Sequence, residues 1–178
     1  MPPPPGSSPT WWTRRTADGR RPLPAVGRIR SDIIIDAPPA AVWARLADIA
    51  DHVSWMADAA EIRFTGERRA GVGTTFECDT RVGPLRTTDV MEVTEWREGE
   101  ALGVRHTGLV TGTGRFAVTA EPGDADRSRL TWDEDLAFPW WLGGPAGAFL
   151  ARPILRAVWR RNLRRFAALV TAGREGGA

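Results

Sequence analysis

The sequence predicts an α+β protein in which a curved antiparallel sheet wraps around one long helix. Three observations support this prediction. Apolar residues alternate along a first strand and along six later strands, a broken helical stretch follows the first strand, and an amphipathic, Arg-rich helix comes last. A sheet curved around a helix leaves a space between the two, so the chain is suited to enclosing a small apolar molecule.

The first strand is predicted over residues 28–35, where apolar side chains recur at every second position. The sequence Asp-Ala-Pro-Pro at 36–39 ends it, because proline has no N–H for the sheet and its fixed φ suits the first turn of a helix. Apolar residues at helical spacing then predict the first helix: Val42, Leu46, Ile49 and Val53. A second short helix or turn covers 52–60 and carries Trp55.

From residue 61 the apolar period changes to two, and Gly- and Pro-containing turns separate six strands. The predicted strands centre on 62–64, 74–80, 85–96, 102–106, 116–118 and 130–136. Because the connections are short, we expect an antiparallel meander. The sequence Thr-Gly-Thr-Gly at 111–114 is read as the start of a strand, since it lacks the Lys and the helix that a phosphate-binding loop uses.

The last helix is predicted to start near Pro153 and to end before Gly173, because proline favours the first turn of a helix and glycine follows the last. Its predicted inner face is apolar: Leu155, Val158, Trp159, Phe166, Leu169 and Val170. Its predicted outer face is basic: Arg152, Arg156, Arg160, Arg161, Arg164 and Arg165. We interpret these Arg side chains as covering the apolar surface of the helix.

Charge and cysteine content exclude several functional classes. Residues 1–30 carry a net charge of +5 and residues 31–178 a net charge of −3, so the folded body is slightly acidic and does not suit nucleic acid. The single cysteine excludes an internal disulfide, and two His with one Cys are too few for a closed zinc site. No apolar run is long enough to span a membrane. We expect a cytoplasmic protein without a metal or another cofactor.

The predicted domain organisation is simple. Residues 1–25 form a Pro- and Arg-rich tail that we expect to be disordered, residues 26–172 form one ligand-binding domain, and residues 173–178 form a disordered end. Within the tail, Trp11 and Trp12 are either an isolated pair or a docking element for the body or a partner protein. An accessory role, in which the tail recruits a partner, is therefore one functional hypothesis.

Three segments of the chain resemble one family. Residues 33–43, Ile-Ile-Ile-Asp-Ala-Pro-Pro-Ala-Ala-Val-Trp, resemble the opening of START-like (SRPBCC) proteins, the polyketide cyclase/dehydrase and lipid-transport group, where a strand ends in I-x-A-P-x-x-V-W and enters the first helix. Residues 93–96 resemble the end of a strand in the middle of the sheet of that group. Residues 128–132 resemble its last strand. The resemblance covers about residues 26–171.

The resemblance implies a helix-grip fold. A seven-stranded curved antiparallel sheet would wrap around the long C-terminal helix, with two short helices after the first strand and a cavity for hydrophobic ligands. The group includes aromatase/cyclases, lipid carriers, ligand receptors and oxygenase domains. It has no single catalytic motif, so the resemblance assigns no catalytic residue to this chain, and fold alone does not assign function.

Strand alternation supplies the catalytic candidates. His106 shares a strand face with Leu102 and Val104, and Glu134 shares one with Trp132 and Leu136, so both would face the cavity. An imidazole and a desolvated carboxyl can both titrate near neutrality and could move protons in an enolisation, aldol closure or dehydration. Alternatively, the His106 ring is half exposed and bonded to a backbone group, and Glu134 pairs with an Arg of the last helix.

The predicted function is binding of a hydrophobic small molecule, with acid/base cyclisation or dehydration of a polyketide-like substrate by His106 and Glu134. The alternative is a non-catalytic carrier or sensor of a lipid or other hydrophobic metabolite. The predicted ligand-binding residues are Trp55, Phe76, Val104, Phe116, Trp132, Phe149 and Trp159. Trp140, Trp141 or the tail could make transient contact with a membrane or a protein. We expect a monomer or a homodimer.

Overall fold

The computed structural model describes residues 28–83, 85–137, 140 and 144–175. Its seven strands form one antiparallel sheet in the order β1-β7-β6-β5-β4-β3-β2. The strands are β1 (Ile29–Ile35), β2 (Ala59–Phe64), β3 (Thr75–Val82), β4 (Leu85–Arg97), β5 (Ala101–Thr107), β6 (Thr111–Glu121) and β7 (Asp124–Ala137). The helices are α1 (Pro39–Ala47), α2 (His52–Trp55) and α3 (Gly144–Glu175), and a 3₁₀ turn spans Ile49–Asp51.

The sheet is a curved half-barrel that holds α3 on its concave face. The first strand pairs with the last, and β2 forms the opposite edge. Helix α3 packs mainly against β1, with further contacts to α2 and β7. The predicted α+β fold of seven antiparallel strands, a long C-terminal helix and short helices after β1 is confirmed.

The helical segment between β1 and β2 is interrupted more often than the spacing of its apolar residues predicts. Helix α1 ends at Ala47, and the Asp48 carboxylate then accepts the Asp51 N–H at 3.3 Å, which starts a new turn. This change of direction leaves Val53 exposed, so its predicted place on the inner helical face is wrong. Trp55 is fully buried instead.

Both predicted ends of α3 are wrong. The helix begins at Gly144, nine residues before Pro153, which lies inside it. The second residue of the helix is Pro145, where a missing N–H costs nothing, so the proline signal for the helix start belongs to Pro145. The helix also continues past Gly173 to Glu175, and one exposed glycine costs a helix only about 1 kcal/mol.

A register shift in β4 decides which of its side chains face the cavity. The pairing with β5 slips between Val93 and Glu95, which is a β-bulge. Before the bulge, Met91 and Val93 face inward, and Glu92 pairs with Arg105 on the outer face. Alternation without a bulge would have placed Glu92 inside together with Trp96.

A carboxylate of β7 is covered by the side chain of Arg28. Only 8 % of Asp133 is exposed, and Arg28 donates from Nε to its Oδ1 at 2.9 Å. Asp135, two residues further along β7, is exposed. Residues 1–27, with Trp11 and Trp12, lie outside the described residues, as do Trp141 and residues 176–178.

Candidate functional site

A cavity of about 280 Å³ lies between the concave face of the sheet and α3. Five of the predicted ligand-binding residues line it: Phe76, Val104, Phe116, Trp132 and Trp159. Further apolar side chains come from six elements and the segment after α2, including Met56, Ile62, Met91, Leu102, Leu136 and Leu155. A space of this size, lined mainly by apolar groups with a few polar ones, is typical of sites for small hydrophobic ligands.

Two of the predicted ligand-binding residues lie elsewhere. Trp55 is fully buried behind the cavity wall, where its ring packs edge-on against Phe116, Trp132 and Phe166 at centroid distances of 5.0–6.2 Å. It therefore supports the wall of the cavity. Phe149 is 67 % exposed and lines a surface groove of α3, because the helix begins at Gly144 and Phe149 lies on it rather than before it. Its assignment to the cavity is wrong.

His106 and Glu134 meet in the cavity wall. His106 lies on β5 and Glu134 on β7, and Nε2 of the ring is 3.6 Å from Oε2 of the carboxyl group. Both side chains are about nine-tenths buried, with 10 % and 7 % of their surfaces exposed. Oε1 of Glu134 accepts a hydrogen bond from the Trp132 indole N–H at 2.8 Å. The predicted alternatives, a backbone partner for His106 and an Arg partner for Glu134, are both wrong.

Two glycines on the intervening strand allow this approach. Across β6, Gly112 pairs with His106 and Gly114 pairs with Glu134. A Cβ at Gly114 would lie 2.6 Å from Oε1 of Glu134, so a side chain there would displace the carboxyl group from its present position. Gly112 has φ +144°, and a Cβ there would lie 2.0 Å from the Asp135 carbonyl oxygen. Gly114 was a sequence signal for this site, and the sequence interpretation did not use it.

Burial keeps both groups neutral near pH 7. It raises the pKa of Glu134 to about 8, against the opposing effect of the Trp132 hydrogen bond. It lowers the pKa of His106 to about 4. Among the described residues, neither ring nitrogen of His106 has a hydrogen-bond partner, and neither has Oε2 of Glu134. Buried polar atoms are usually satisfied, so these three atoms lack partners that such atoms normally have.

Sequence reasoning missed a second polar group in the cavity wall. Asp89, on β4, lies inward next to Cys78 on β3, and its Oδ2 accepts a hydrogen bond from the Thr80 hydroxyl at 3.0 Å. Asp58 also lines the cavity, and the buried Asn162 of α3 donates to it at 2.6 Å. Asp89 was missed because the sequence alone does not show whether a bulge reverses the faces of β4, and the structure has one between Val93 and Glu95.

Cys78 and His52 are two further titratable side chains of the wall. Burial raises the pKa of the Cys78 thiol to about 11, so it is not a thiolate nucleophile near neutral pH. His52 is buried, and its Nε2 is 2.8 Å from the Leu46 carbonyl oxygen, so it joins α2 to the end of α1. In the described part of the chain, no three His, Cys, Asp or Glu side chains are grouped as a metal site requires.

Comparison with known proteins agrees with this fold and cavity. Residues 27–171 match the family described as polyketide cyclase/dehydrase and lipid transport. The chain belongs to this family. No curated protein sequence matches it. The family's fold is one that binds hydrophobic ligands, and within the described residues no helix is long and apolar enough to cross a membrane.

Solved structures with the same fold include aromatase/cyclases. The Zhui aromatase/cyclase from Streptomyces sp. R1128 superimposes with a TM-score of 0.64 at 19 % identity, covering 82 % of this chain and 93 % of that protein. The di-domain aromatase/cyclase StfQ of the steffimycin pathway gives 0.68 at 15 % identity, covering 88 % and 53 %. A START superfamily protein from Mycobacterium smegmatis gives 0.60 at 12 % identity, covering 83 % and 95 %. At these identities, the similarity establishes the fold of this polyketide cyclase/dehydrase family member and no more.

Proposed function

We propose that this protein binds a hydrophobic ketone in its cavity and moves protons on it, as a cyclisation or dehydration of a polyketide-like substrate requires. One observation carries the proposal: a buried acid and a buried base, Glu134 and His106, face an apolar cavity with their nearest atoms 3.6 Å apart and no other partner for those atoms among the described residues. Polar atoms buried without partners are costly, which favours a role for them.

The protonation states suit the two roles. Near pH 7 the carboxyl group of Glu134 carries its proton, because burial raises its pKa to about 8, and it acts as a general acid toward a carbonyl oxygen. The imidazole of His106 is neutral, because burial lowers its pKa to about 4, and it acts as a general base toward the hydrogen on the adjacent carbon. The 3.6 Å between Nε2 of His106 and Oε2 of Glu134 is too long for a hydrogen bond. A carbonyl oxygen can therefore contact Glu134 while the hydrogen on its neighbouring carbon contacts His106.

In the proposed enolisation, each proton that is removed or added has a named donor and acceptor. His106 takes the proton from carbon, the C–H electron pair becomes the new C=C bond, and the carbonyl π pair moves to oxygen, which takes the proton of Glu134. The product is an enol, whose carbon then attacks a second carbonyl group of the same chain. In that step the enol O–H proton returns to Glu134 and the new alkoxide takes the proton held by His106, which restores both groups. In the dehydration that follows, the hydroxyl group leaves as water with one proton from the acid, and the base removes another from carbon. The apolar wall folds the reacting chain and excludes bulk water.

The proposal can be tested without the natural substrate. 2-Tetralone, a bicyclic ketone, exchanges its C1 hydrogens for deuterium in D₂O by enolisation, and NMR measures the rate. We expect the protein to accelerate the exchange. We expect His106→Ala and Glu134→Gln each to remove most of the acceleration, by about a hundredfold, which is within the range of general acid–base catalysis. Near-UV circular dichroism would show that both variants remain folded.

Glu92→Gln provides the matched control, because Glu92 lies on the outer face of β4 and pairs with Arg105. Its exchange rate should equal that of the wild type. If the wild type does not accelerate exchange, or if both cavity variants retain its rate, the catalytic proposal is wrong. Binding of unchanged 2-tetralone without acceleration would support the carrier function, which the predominantly apolar lining of the cavity also suits.

A further inference from the structure

Asp89 is a buried carboxyl group in the cavity wall, and one of its oxygens has no partner among the described residues. It is 8 % exposed, and it lines the cavity from β4. Its Oδ2 accepts the Thr80 hydroxyl, but no group in the described part of the chain donates to its Oδ1. A carboxyl oxygen can only accept hydrogen bonds unless it is protonated, so the missing partner is a donor.

The described lining of the cavity supplies no positive charge near pH 7. Three carboxyl groups line it, those of Asp58, Asp89 and Glu134, and none of the lining residues described is an Arg. The two imidazoles in the wall do not supply a cation near pH 7, because burial lowers the pKa of His106 to about 4 and also lowers that of His52. An anionic guest would therefore lose its hydration without gaining a positive partner.

Asp89 is close enough to the proposed acid and base for one ligand molecule to contact all three. Met91 pairs directly with His106, and Asp89 lies on the same face of β4, two residues before Met91. Two residues along a strand and one strand spacing across place the Cα atoms of Asp89 and His106 about 8 Å apart. A bicyclic or similarly sized molecule can contact both positions at once, and Phe76 and Met91 would cover its apolar middle.

We infer that Asp89 is a second ligand-binding residue, which accepts a hydrogen bond from a hydroxyl or amino group of a neutral or cationic guest, and that the cavity rejects carboxylates. This inference rests on the proposed binding of a hydrophobic ligand and specifies its chemical class. The ligand is an apolar molecule with a donor group on the side opposite the atoms that contact His106 and Glu134. Free fatty acids and other anionic lipids are excluded.

Four naphthalene probes of nearly equal shape test the inference by equilibrium dialysis at pH 7: naphthalene, 2-naphthol, 2-naphthylmethylamine and 2-naphthoate. The full chain should bind 2-naphthol and the amine about tenfold more tightly than naphthalene, since one hydrogen bond to a buried acceptor has about that effect. It should bind 2-naphthoate at least tenfold more weakly than 2-naphthol.

Two substitutions assign the preference to Asp89. Asp89→Leu should reduce the affinity for 2-naphthol to that for naphthalene and leave naphthalene unchanged. Asp89→Asn keeps an acceptor oxygen and the shape of the side chain, so it tests the same position if Asp89→Leu does not fold. Its affinity for 2-naphthol should remain within threefold of that of the wild type, and its affinity for the amine should fall about tenfold. Asp135→Asn, which removes a carboxylate from an exposed position on β7, should change none of the four affinities.

The outcomes separate this inference from the proposed function. Tight binding of 2-naphthoate by the wild type would overturn the inference alone, and so would equal affinities for naphthalene and 2-naphthol. Affinities unaffected by both Asp89 substitutions would also overturn it. If none of the probes binds, the proposed ligand binding is wrong, and the inference falls with it.

Discussion

Replacing Glu134 with Gln should change the pH dependence of stability in a way that the structure allows us to calculate. Burial raises the pKa of Glu134 from 4.5 to about 8 in the folded protein. The stability associated with its protonated form is therefore fully present below pH 4.5 and is lost as the pH rises through about 8. Each tenfold difference in proton affinity corresponds to about 1.4 kcal/mol. Between pH 5 and pH 8, the loss amounts to about 3–4 kcal/mol.

Glutamine has nearly the same shape and never ionises, so the Glu134→Gln variant lacks this loss. Its Oε1 can still accept the Trp132 indole N–H, which preserves the one hydrogen bond that the carboxyl group makes. Other titrating groups, including His106, are present in both proteins, and their effects cancel in the difference. The variant should be close to the wild type in stability at pH 5, and more stable by about 3–4 kcal/mol at pH 8.

Urea unfolding followed by Trp fluorescence at pH 5, 6, 7 and 8 measures this difference, and the nine Trp residues provide the signal. The control is Asp135→Asn, which removes a carboxylate from the exposed neighbouring position. Its stability relative to the wild type should vary by less than about 0.5 kcal/mol over the same range. If the Glu134→Gln difference is equally constant, the carboxyl group is not buried in an apolar site, and the proposed acid is refuted.

Three further outcomes follow from the geometry of the site and its support. Gly114→Ala should reduce 2-tetralone exchange at least tenfold by displacing the Glu134 carboxyl group, whereas Gly173→Ala, with open space around its Cβ position, should not. Phe166→Ala should lower the free energy of unfolding by about 3–5 kcal/mol in urea titrations, because its ring is fully buried, and Phe149→Ser should change it by less than about 0.5 kcal/mol. The exchange rate of the wild type should fall as the pH rises through about 8, where the acid loses its proton; a rate that keeps rising there would contradict that role.

Strand alternation was sufficient to place the two central residues of the site. His106 and Glu134 lie on regular stretches of β5 and β7, where side chains at every second position share a face. The alternation places both side chains on one face of the sheet, and the confirmed fold explains why that face borders a cavity. Their distance of 3.6 Å could not be predicted, because it depends on how β6 separates the two strands and on the space that Gly114 leaves.

The failures have identifiable physical causes. Asp89 was missed because a bulge between Val93 and Glu95 shifts the alternation, and a bulge leaves no clear sign in composition. Phe149 was misplaced because the start of α3 was assigned to the wrong proline, which left residue 149 outside the predicted helix. Asn162, which fixes Asp58 to α3, could not be recognised because its partners lie more than a hundred residues away in sequence.

The most direct test of the central claim is a crystal structure of the protein grown at pH 7 with 2-naphthol. We predict electron density for one naphthol molecule between the sheet and α3, in contact with Phe116 and Trp132, with its hydroxyl group at Asp89. A cavity filled by the protein's own side chains, or a probe bound only at the outer surface, would contradict the account.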